Sequence, residues 1–200
     1  ALEKDEFIEV IELLDNALSH DPNSSRANWL MAQIYENHQQ YNEACQCYKA
    51  IYEQDKEFFP DVIEKMFLCY QALNAEKEFF IFIRKVYEET GSTSALIKYL
   101  AHIEQAKGGS HAKTFILTAL KRRPTIRGFK HFVKMQMDGN QSENTADNLE
   151  VIRELVTAYL NVKHRYSCRT CGFNSSTHYW SCPSCHDWEQ LKPVRGLDGE

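Results

Sequence analysis

Four cysteines near the carboxyl end of the chain have the residue type and spacing of a metal site. They form two C-x-x-C pairs, Cys168/Cys171 and Cys182/Cys185, with ten residues between the pairs. Each pair predicts a short turn that directs both thiols to one side, and four thiolates suit one tetrahedral ion. Gly172 follows the first pair, where a backbone that can take a positive φ relieves crowding. The sequence therefore predicts one metal ion, iron or zinc, bound by these four cysteines.

The same four cysteines leave other interpretations open. Two disulfides in a secreted module would use this spacing, but Cys45, Cys47 and Cys69 have no evident pairing scheme, and free thiols favour a reducing compartment. C-x-x-C-G followed by C-P-x-C resembles rubredoxin knuckles, which favour iron, although zinc ribbons use nearly the same letters. Because four cysteines leave no open coordination position, we interpret the metal as structural. An iron electron-transfer protein is the alternative that a coloured, reducible sample would favour.

Residues suited to catalysis are not arranged in any recognisable pattern. The chain has no phosphate-binding glycine loop and no G-x-S-x-G elbow, and its histidines are not spaced to form a general base. His178 and His186 lie near the cysteines, but with four thiols available we expect them to be surface or supporting groups. The sequence thus predicts a protein that is not an enzyme.

A helical repeat precedes the cysteines, with steps of about 34, 35 and 33 residues, a period typical of tetratricopeptide repeats. Its second-helix positions begin at Val10, Leu14, Ala17 and Pro22. The later copies are Ala44, Tyr48, Ile51 and Lys56; Phe79, Ile83, Val86 and Gly91; and Ala112, Ile116, Ala119 and Pro124. The first unit lacks its first helix, which predicts a chain that begins within a longer array.

The remaining segments complete a three-part organisation. Residues 126–136 and 147–162 have helical apolar spacing, and 138–145 are polar and predict a loop. We therefore expect tetratricopeptide repeats over 1–124 with the first unit truncated, further helices capping the array over 125–162, and a four-cysteine rubredoxin-like module over 163–200. The predicted fold class is an all-α tetratricopeptide superhelix with a small C-terminal rubredoxin-like or zinc-ribbon β knuckle.

The charge is distributed unevenly along the chain, although the net charge is only −5. From Ala106 to Met137 there is no Asp or Glu, yet eight Lys and Arg residues fall in this segment. Such a basic run is either a solvated helix face or a surface for something anionic, such as an acidic partner or a membrane. No run approaches the length of about 18 apolar residues that a spanning helix needs.

Stacked repeats form a concave groove that binds other proteins, so partner-binding residues are expected there. The groove lacks the Lys, Arg and Asn cluster that would bind a terminal carboxylate. The candidates are Trp29, Gln33 and Glu36 in the second unit, Glu64, Leu68 and Gln71 in the third, and Arg122, Arg123, Arg127 and Lys130 from the basic run.

Binding to nucleic acid is the alternative function, because zinc ribbons with exposed aromatic residues often bind it. Tyr179, Trp180 and Trp188 could stack on bases. However, residues 163–200 carry five Lys and Arg against four Asp and Glu, a weak balance for holding a phosphate backbone. We therefore expect no nucleic-acid partner, and keep a nucleic-acid-binding zinc ribbon on a helical scaffold as the alternative.

The order of these parts, together with three short motifs, resembles one family. The motifs are Tyr166-x-Cys168-x-x-Cys171-Gly172-Phe173, then Tyr179-Trp180-x-Cys182-Pro183-Ser184-Cys185, and the R-G-L-D-G ending at residues 195–199. They resemble the lipopolysaccharide assembly protein B family of Gram-negative bacteria, and the resemblance covers essentially the whole chain.

The resemblance implies a function that the residues alone do not give. Members of the family are not enzymes. One N-terminal helix, which this chain does not contain, anchors them in the inner membrane, with the repeats and metal module in the cytoplasm. They promote degradation of the deacetylase that commits lipid A synthesis, together with a membrane-bound AAA+ protease, and they help to assemble other lipopolysaccharide assembly proteins. The resemblance also implies that Cys168, Cys171, Cys182 and Cys185 are the metal ligands.

Overall fold

Helices make up most of the computed structural model, which describes residues 2–137 and 143–197. The helices are α1 Leu2–His20, α2 Ser25–Asn37, α3 Tyr41–Gln54, α4 Ile63–Ala72, α5 Glu76–Thr90, α6 Thr93–Lys107, α7 Gly109–Arg122, α8 Ile126–Met137 and α9 Glu143–Val162, with a 3-10 turn at Phe59–Asp61. The strands are β1 Tyr166–Cys168, β2 Asn174–Ser175 and β3 Leu191–Pro193. The chain divides into two units, Ala1–Phe79 and Phe80–Glu200. Within the described residues no helix is both long and apolar enough to cross a membrane.

The repeat positions predicted from the sequence form the buried faces of the helices. In the first unit α2 packs against α3, where Ala44, Tyr48 and Ile51 are fully buried. In the second unit α6 packs against α7, where Ala112 and Ile116 are fully buried. Small residues at the crossing allow close approach of two helices, and the large ones fill the space beside them. The predicted fold class of tetratricopeptide helices followed by a small β knuckle is confirmed.

The first repeat position behaves differently from its later copies. Helix α1 packs against α2, but Val10 and Ala17 are exposed and Leu14 is only half-buried in the part of the chain that the structure describes. The equivalent residues of α3 are fully buried because α2 and α4 both pack against that helix.

Serine caps and a glycine set the boundaries of the repeat helices. The Ser24 and Ser92 hydroxyls accept the backbone N–H groups of Ala27 at 3.3 Å and Ala95 at 3.2 Å, as N-caps do. Gly91, the residue before the second cap, has a φ of 68°. Its missing side chain also leaves room for the guanidinium of Arg123. The turn predicted at this point is therefore confirmed.

Helix α9 begins earlier than the sequence predicted. The polar segment 138–145 was predicted to be a loop; residues 138–142 lie outside the described residues, and residues 143–145 are helical. That part of the prediction was wrong because the segment Glu143-Asn-Thr has no Gly or Pro to stop a helix. Glutamate is also favourable in a first helical turn, where it faces the positive end of the helix dipole.

Candidate metal centre

A three-stranded antiparallel sheet positions the first pair of cysteines. The strand order is β2-β1-β3, and the pairings place Tyr166 opposite Ser175 and Cys168 opposite Leu191. Cys168 is the last residue of β1, so the first metal-binding turn starts where the sheet fixes the backbone. Leu191 is fully buried and packs in one small cluster with Tyr166, Cys168 and Cys182.

Two turns of the same construction present the four thiols. In the first, the Cys168 N–H donates to the Phe173 carbonyl at 2.8 Å, and the Gly172 N–H donates to the Cys168 carbonyl at 3.0 Å. In the second, the Cys182 N–H donates to the Asp187 carbonyl at 2.9 Å, and the His186 N–H donates to the Cys182 carbonyl at 2.9 Å. Each C-x-x-C pair is thus closed by the same two backbone hydrogen bonds.

The residue after each pair adopts a left-handed backbone. Gly172 has a φ of 75°, as the sequence predicted, and His186 has a φ of 62°. Only glycine takes this conformation without steric cost, so the second turn carries strain that the first does not. Sequence reasoning missed this role of His186, because most histidines have a negative φ; its position directly after the second C-x-x-C pair, equivalent to that of Gly172, is the signal that could have revealed it.

The four thiols converge on one point. Their sulfur atoms all lie within 4.8 Å of one another; Cys168 and Cys185 are 3.8 Å apart, and Cys171 and Cys182 are 3.7 Å apart. Tetrahedral bonds of about 2.3 Å from a metal to sulfur would separate two sulfurs by about 3.8 Å. The donor set and these distances therefore fit one tetrahedral metal ion, and the cysteines are positioned to bind it.

The pKa of the Cys185 thiol is affected by its neighbours in the cluster. A backbone hydrogen bond from Asp187 lowers its pKa, but desolvation and the three neighbouring thiols outweigh that bond and raise the pKa to about 12. Four thiolates at these distances repel one another, and a bound cation would offset the repulsion. A free thiolate at Cys185 is therefore disfavoured, and a cation bound among the four sulfurs would favour it.

Side chains around the turns tie the module together. The Thr170 hydroxyl of the first turn donates to the Asp187 carboxylate of the second at 2.7 Å. The His178 ring lies edge-on to both Tyr166 and Trp180, with ring centroids 5.3 and 4.9 Å apart. These contacts give His178 a packing role. Among the described residues, the metal-binding cluster consists of the four cysteines alone.

We predict that Gly172→Ala destabilises the module. The glycine has open space around it, so the added methyl group meets no atom and the cost, about 1–2 kcal/mol, comes from its φ alone. The measurement is the apparent metal affinity against a competing chelator, which should fall. His186→Gly is the matched control at the equivalent position of the other turn and should keep or raise the affinity. Equal affinities for Gly172→Ala and the unchanged chain would contradict the prediction.

The predicted partner-binding residues of helices α2 and α4 occupy two different environments. Glu64, Leu68 and Gln71 share an exposed face of α4. Trp29 and Gln33 are half-buried on α2. The α4 residues are therefore exposed to solvent, while those on α2 also contribute to packing.

Glu36 belongs to an internal network as well as to the predicted groove. Its carboxylate accepts hydrogen bonds from the Tyr48 hydroxyl at 2.7 Å and the Cys69 thiol at 3.3 Å, with the Lys65 ammonium 4.0 Å away. Burial, and then the Glu36 carboxylate, raise the pKa of Tyr48. The same Lys65 ammonium lies 5.6 Å from the Trp29 ring centroid. Glu36 therefore satisfies a buried hydroxyl, whatever it also contributes to binding.

The four candidate residues of the basic run are divided between the end of α7 and helix α8. Arg122 and Arg123 lie at the end of α7, where the Arg123 guanidinium donates to the Thr90 carbonyl at 2.6 Å. Arg127 and Lys130 lie on α8 and line a pocket. Arg123 thus satisfies a carbonyl at the end of α5, and the two residues on α8 face a different surface.

Comparisons with known proteins find similarity for both the helical repeats and the cysteine module. A family described as the rubredoxin metal binding domain matches residues 166–193, and the tetratricopeptide repeat family matches residues 1–63. Lipopolysaccharide assembly protein B of Escherichia coli K12 is 33% identical over 197 residues, which are 98% of this chain and 50% of that protein. Its counterpart in Haemophilus influenzae is 26% identical over 194 residues, 97% of this chain and 49% of that protein.

The match covers nearly all of this chain but only part of each relative. The chain spans about half the length of the curated relatives it matches. Within that half the match extends over 98% of this chain, and it includes the segment that carries the four converging thiols. Over the half of those proteins that it spans, the chain is similar along nearly its whole length to lipopolysaccharide assembly protein B.

Proposed function

We propose that this chain acts in lipopolysaccharide assembly as a protein-binding adaptor rather than an enzyme. The observation that carries the proposal is its similarity, along 98% of its length, to proteins named lipopolysaccharide assembly protein B. Helical repeats provide surfaces for partner proteins, and a four-thiol site leaves no coordination position for a substrate. An adaptor combines these two properties.

The finer proposal follows from the family resemblance. The adaptor promotes proteolysis of the deacetylase that commits lipid A synthesis by a membrane AAA+ protease, and it scaffolds other lipopolysaccharide assembly proteins. It works on the cytoplasmic side of the inner membrane, held there by a single-pass segment outside this chain. We propose that partners bind the helical repeats of residues 1–124, and the exposed α4 face of Glu64, Leu68 and Gln71 is the first candidate surface.

We propose that the metal, iron or zinc, is structural. It is held by the four cysteines of a module over residues 163–200, which follows capping helices over 125–162. Two features link the module to the helices. Only residues 163–165 separate α9 from β1, and the Ile126 N–H at the start of α8 donates to the Leu197 carbonyl at 2.8 Å. A metal that fixes the module would therefore also restrain the ends of α8 and α9.

The proposal is tested by affinity purification from membranes. The full-length parent protein, tagged, is compared with Cys182→Ser/Cys185→Ser, and recovered proteins are identified by mass spectrometry. Ser184→Ala, an exposed change in the same turn, is the matched control. We expect the protease, the deacetylase or other lipopolysaccharide assembly proteins with the unchanged and control forms, and weaker recovery with the double variant. Recovery of none of them, with nucleic acid or redox enzymes instead, would contradict the proposal.

A further inference from the structure

Two of the three cysteines outside the metal centre meet inside the first of the two units, Ala1–Phe79. Cys45 of α3 and Cys69 of α4 are both buried, and their thiols are hydrogen-bond partners where these helices pack together. The Cys69 thiol also donates to the Glu36 carboxylate of α2 at 3.3 Å. Three helices thus bring two thiols and one carboxylate into a single row of contacts.

The two thiols of this row differ in their tendency to ionise. The hydrogen bond from Cys69 lowers the pKa of the Cys45 thiol; burial opposes this effect, and the Lys49 ammonium on α3 assists it. The pKa of Cys69 is raised, first by its hydrogen bond to Cys45 and then by burial and Glu36. Because the thiolate is the nucleophilic form of cysteine, Cys45 is suited to attack while Cys69 stays protonated beside it.

The thiol pair lies close to solvent although both sulfurs belong to buried residues. Lys49 is exposed, and the Glu36 side chain, which contacts Cys69, keeps 23% of its exposure. Oxidation of a cysteine requires thiolate character and access for the oxidant. Hydrogen peroxide is little larger than water, so a small displacement of these two side chains admits it to the thiols.

We propose that Cys45 and Cys69 are a peroxide-sensitive pair that forms a reversible disulfide between α3 and α4. The Cys45 thiolate attacks one peroxide oxygen and the O–O bond breaks, which leaves a sulfenic acid on Cys45. The hydroxide released takes up the proton that Cys45 lost on ionising and departs as water.

The second step uses Cys69 and its carboxylate neighbour. Glu36 accepts the Cys69 proton while the Cys69 sulfur attacks the Cys45 sulfur, and the expelled hydroxide receives that proton as a second water. Side-chain rotation brings the two sulfurs from hydrogen-bond contact to a bond of about 2.05 Å. Overall, two thiols are oxidised to one disulfide and one peroxide is reduced to two waters. A thiol reductant reverses the change by disulfide exchange.

The disulfide has a consequence for one of the predicted partner-binding residues. Oxidation removes the Cys69 donor from Glu36, which then keeps the Tyr48 hydroxyl at 2.7 Å as its remaining partner in the buried row. An effect on partner binding rests on the proposed adaptor function. The disulfide chemistry does not, because it depends on residues of α2, α3 and α4 alone.

Cys47 provides a matched comparison within the same helix. Its exposure is 7%, against 5% for Cys45, so access to the two residues is similar. However, burial and then Asp15 raise the pKa of Cys47 to about 12. Residues two apart lie on different faces of a helix, which separates Cys47 from the contact with Cys69. Cys47 should therefore react slowly.

The experiment treats the metal-loaded full chain with hydrogen peroxide, blocks the remaining thiols with N-ethylmaleimide and identifies linked peptides by mass spectrometry. Trypsin leaves Cys45 and Cys47 in the peptide 27–49 and Cys69 in the peptide 66–77. Cys47→Ala therefore assigns the link, and Cys45→Ala removes it. Circular dichroism melting verifies that both variants fold, and metal content is measured in each sample.

We expect the linked peptides from the unchanged chain and from Cys47→Ala, and at least about a tenfold loss of them in Cys45→Ala. In the reduced unchanged chain, iodoacetamide should alkylate Cys45 at least about tenfold faster than Cys47, as fragment ions distinguish them. Equal alkylation of the two, or linked peptides that persist in Cys45→Ala, would overturn the proposal. Intact Cys45 and Cys69 thiols after peroxide has already oxidised the metal-site cysteines would overturn it as well.

Discussion

Cys168→Ser is expected to abolish stoichiometric metal binding and to unfold residues 166–193. The module has few other sources of stability, because among the described residues its buried cluster is the four residues Tyr166, Cys168, Cys182 and Leu191, with the partly buried Phe173 and Cys185 packed against them. Binding of a structural metal by such a small unit contributes about 10–16 kcal/mol, and that free energy is also folding free energy. Three thiols and a hydroxyl cannot retain most of it, so the loss exceeds what the small core can compensate.

Metal content per chain and amide hydrogen exchange over residues 166–193 measure this result directly. Ser184→Ala is the control, since it changes an exposed side chain between two of the cysteines and should leave both quantities unchanged. Metal retained at one ion per chain in Cys168→Ser would contradict the assignment of the site.

The same variant separates a metal that braces the helices from one that stabilises only its own module. Because the Leu197 carbonyl accepts the N–H of Ile126 at the start of α8, loss of the module should also lower the melting temperature of the helical part. The measurement is helical circular dichroism on heating, with addition of a chelator to the unchanged chain as the parallel experiment. An unchanged helical melting curve after proven metal loss would contradict the hypothesis that the metal also stabilises the helices.

Ile116→Ala is expected to produce the largest effect in the helical part, a loss of about 2–5 kcal/mol in the free energy of unfolding. Ile116 is fully buried on α7 and belongs to the cluster that joins Leu100 of α6 with Met135 of α8. The substitution removes three methyl or methylene groups from a place where three helices meet, and such a site collapses poorly. Urea unfolding followed by helical circular dichroism measures the change.

The adjacent residue provides a matched control for that prediction. Leu117 is 41% exposed, so Leu117→Ala removes a similar volume from the same helix without leaving a cavity. Alanine is also the better helix former at both positions, so propensity does not explain a difference between them. A loss for Leu117→Ala equal to that for Ile116→Ala would mean that the assigned repeat face is not the core.

The successful predictions concern residues whose structural role follows from a short sequence motif or from the repeat period. Tyr48, Ile83 and Ile116 stand at repeat spacing and are fully buried, because period and residue size together determine which face of a helix packs. The four cysteines converge because each C-x-x-C closes its own turn, and Gly172 has the positive φ that its position predicts.

The features that sequence reasoning missed depend on neighbours that are distant along the chain. His186 adopts a left-handed backbone because its turn repeats the geometry of the first, not because of its own preference. Glu36 and Tyr48 meet only because α2 and α3 pack together, and Arg153 joins the α8 cations only because α9 lies beside them. A polar residue has no fixed partner until the packing of the helices is known.

X-ray absorption spectroscopy of the purified full chain, combined with elemental analysis, tests the central claim most directly. We expect one iron or zinc per chain, surrounded by four sulfur atoms at about 2.3 Å, with no light-atom ligand. The absorption edge also decides between the two metals. A chain that contains no metal when purified under reducing conditions, or a site with nitrogen or oxygen in place of one or more sulfurs, would contradict the account.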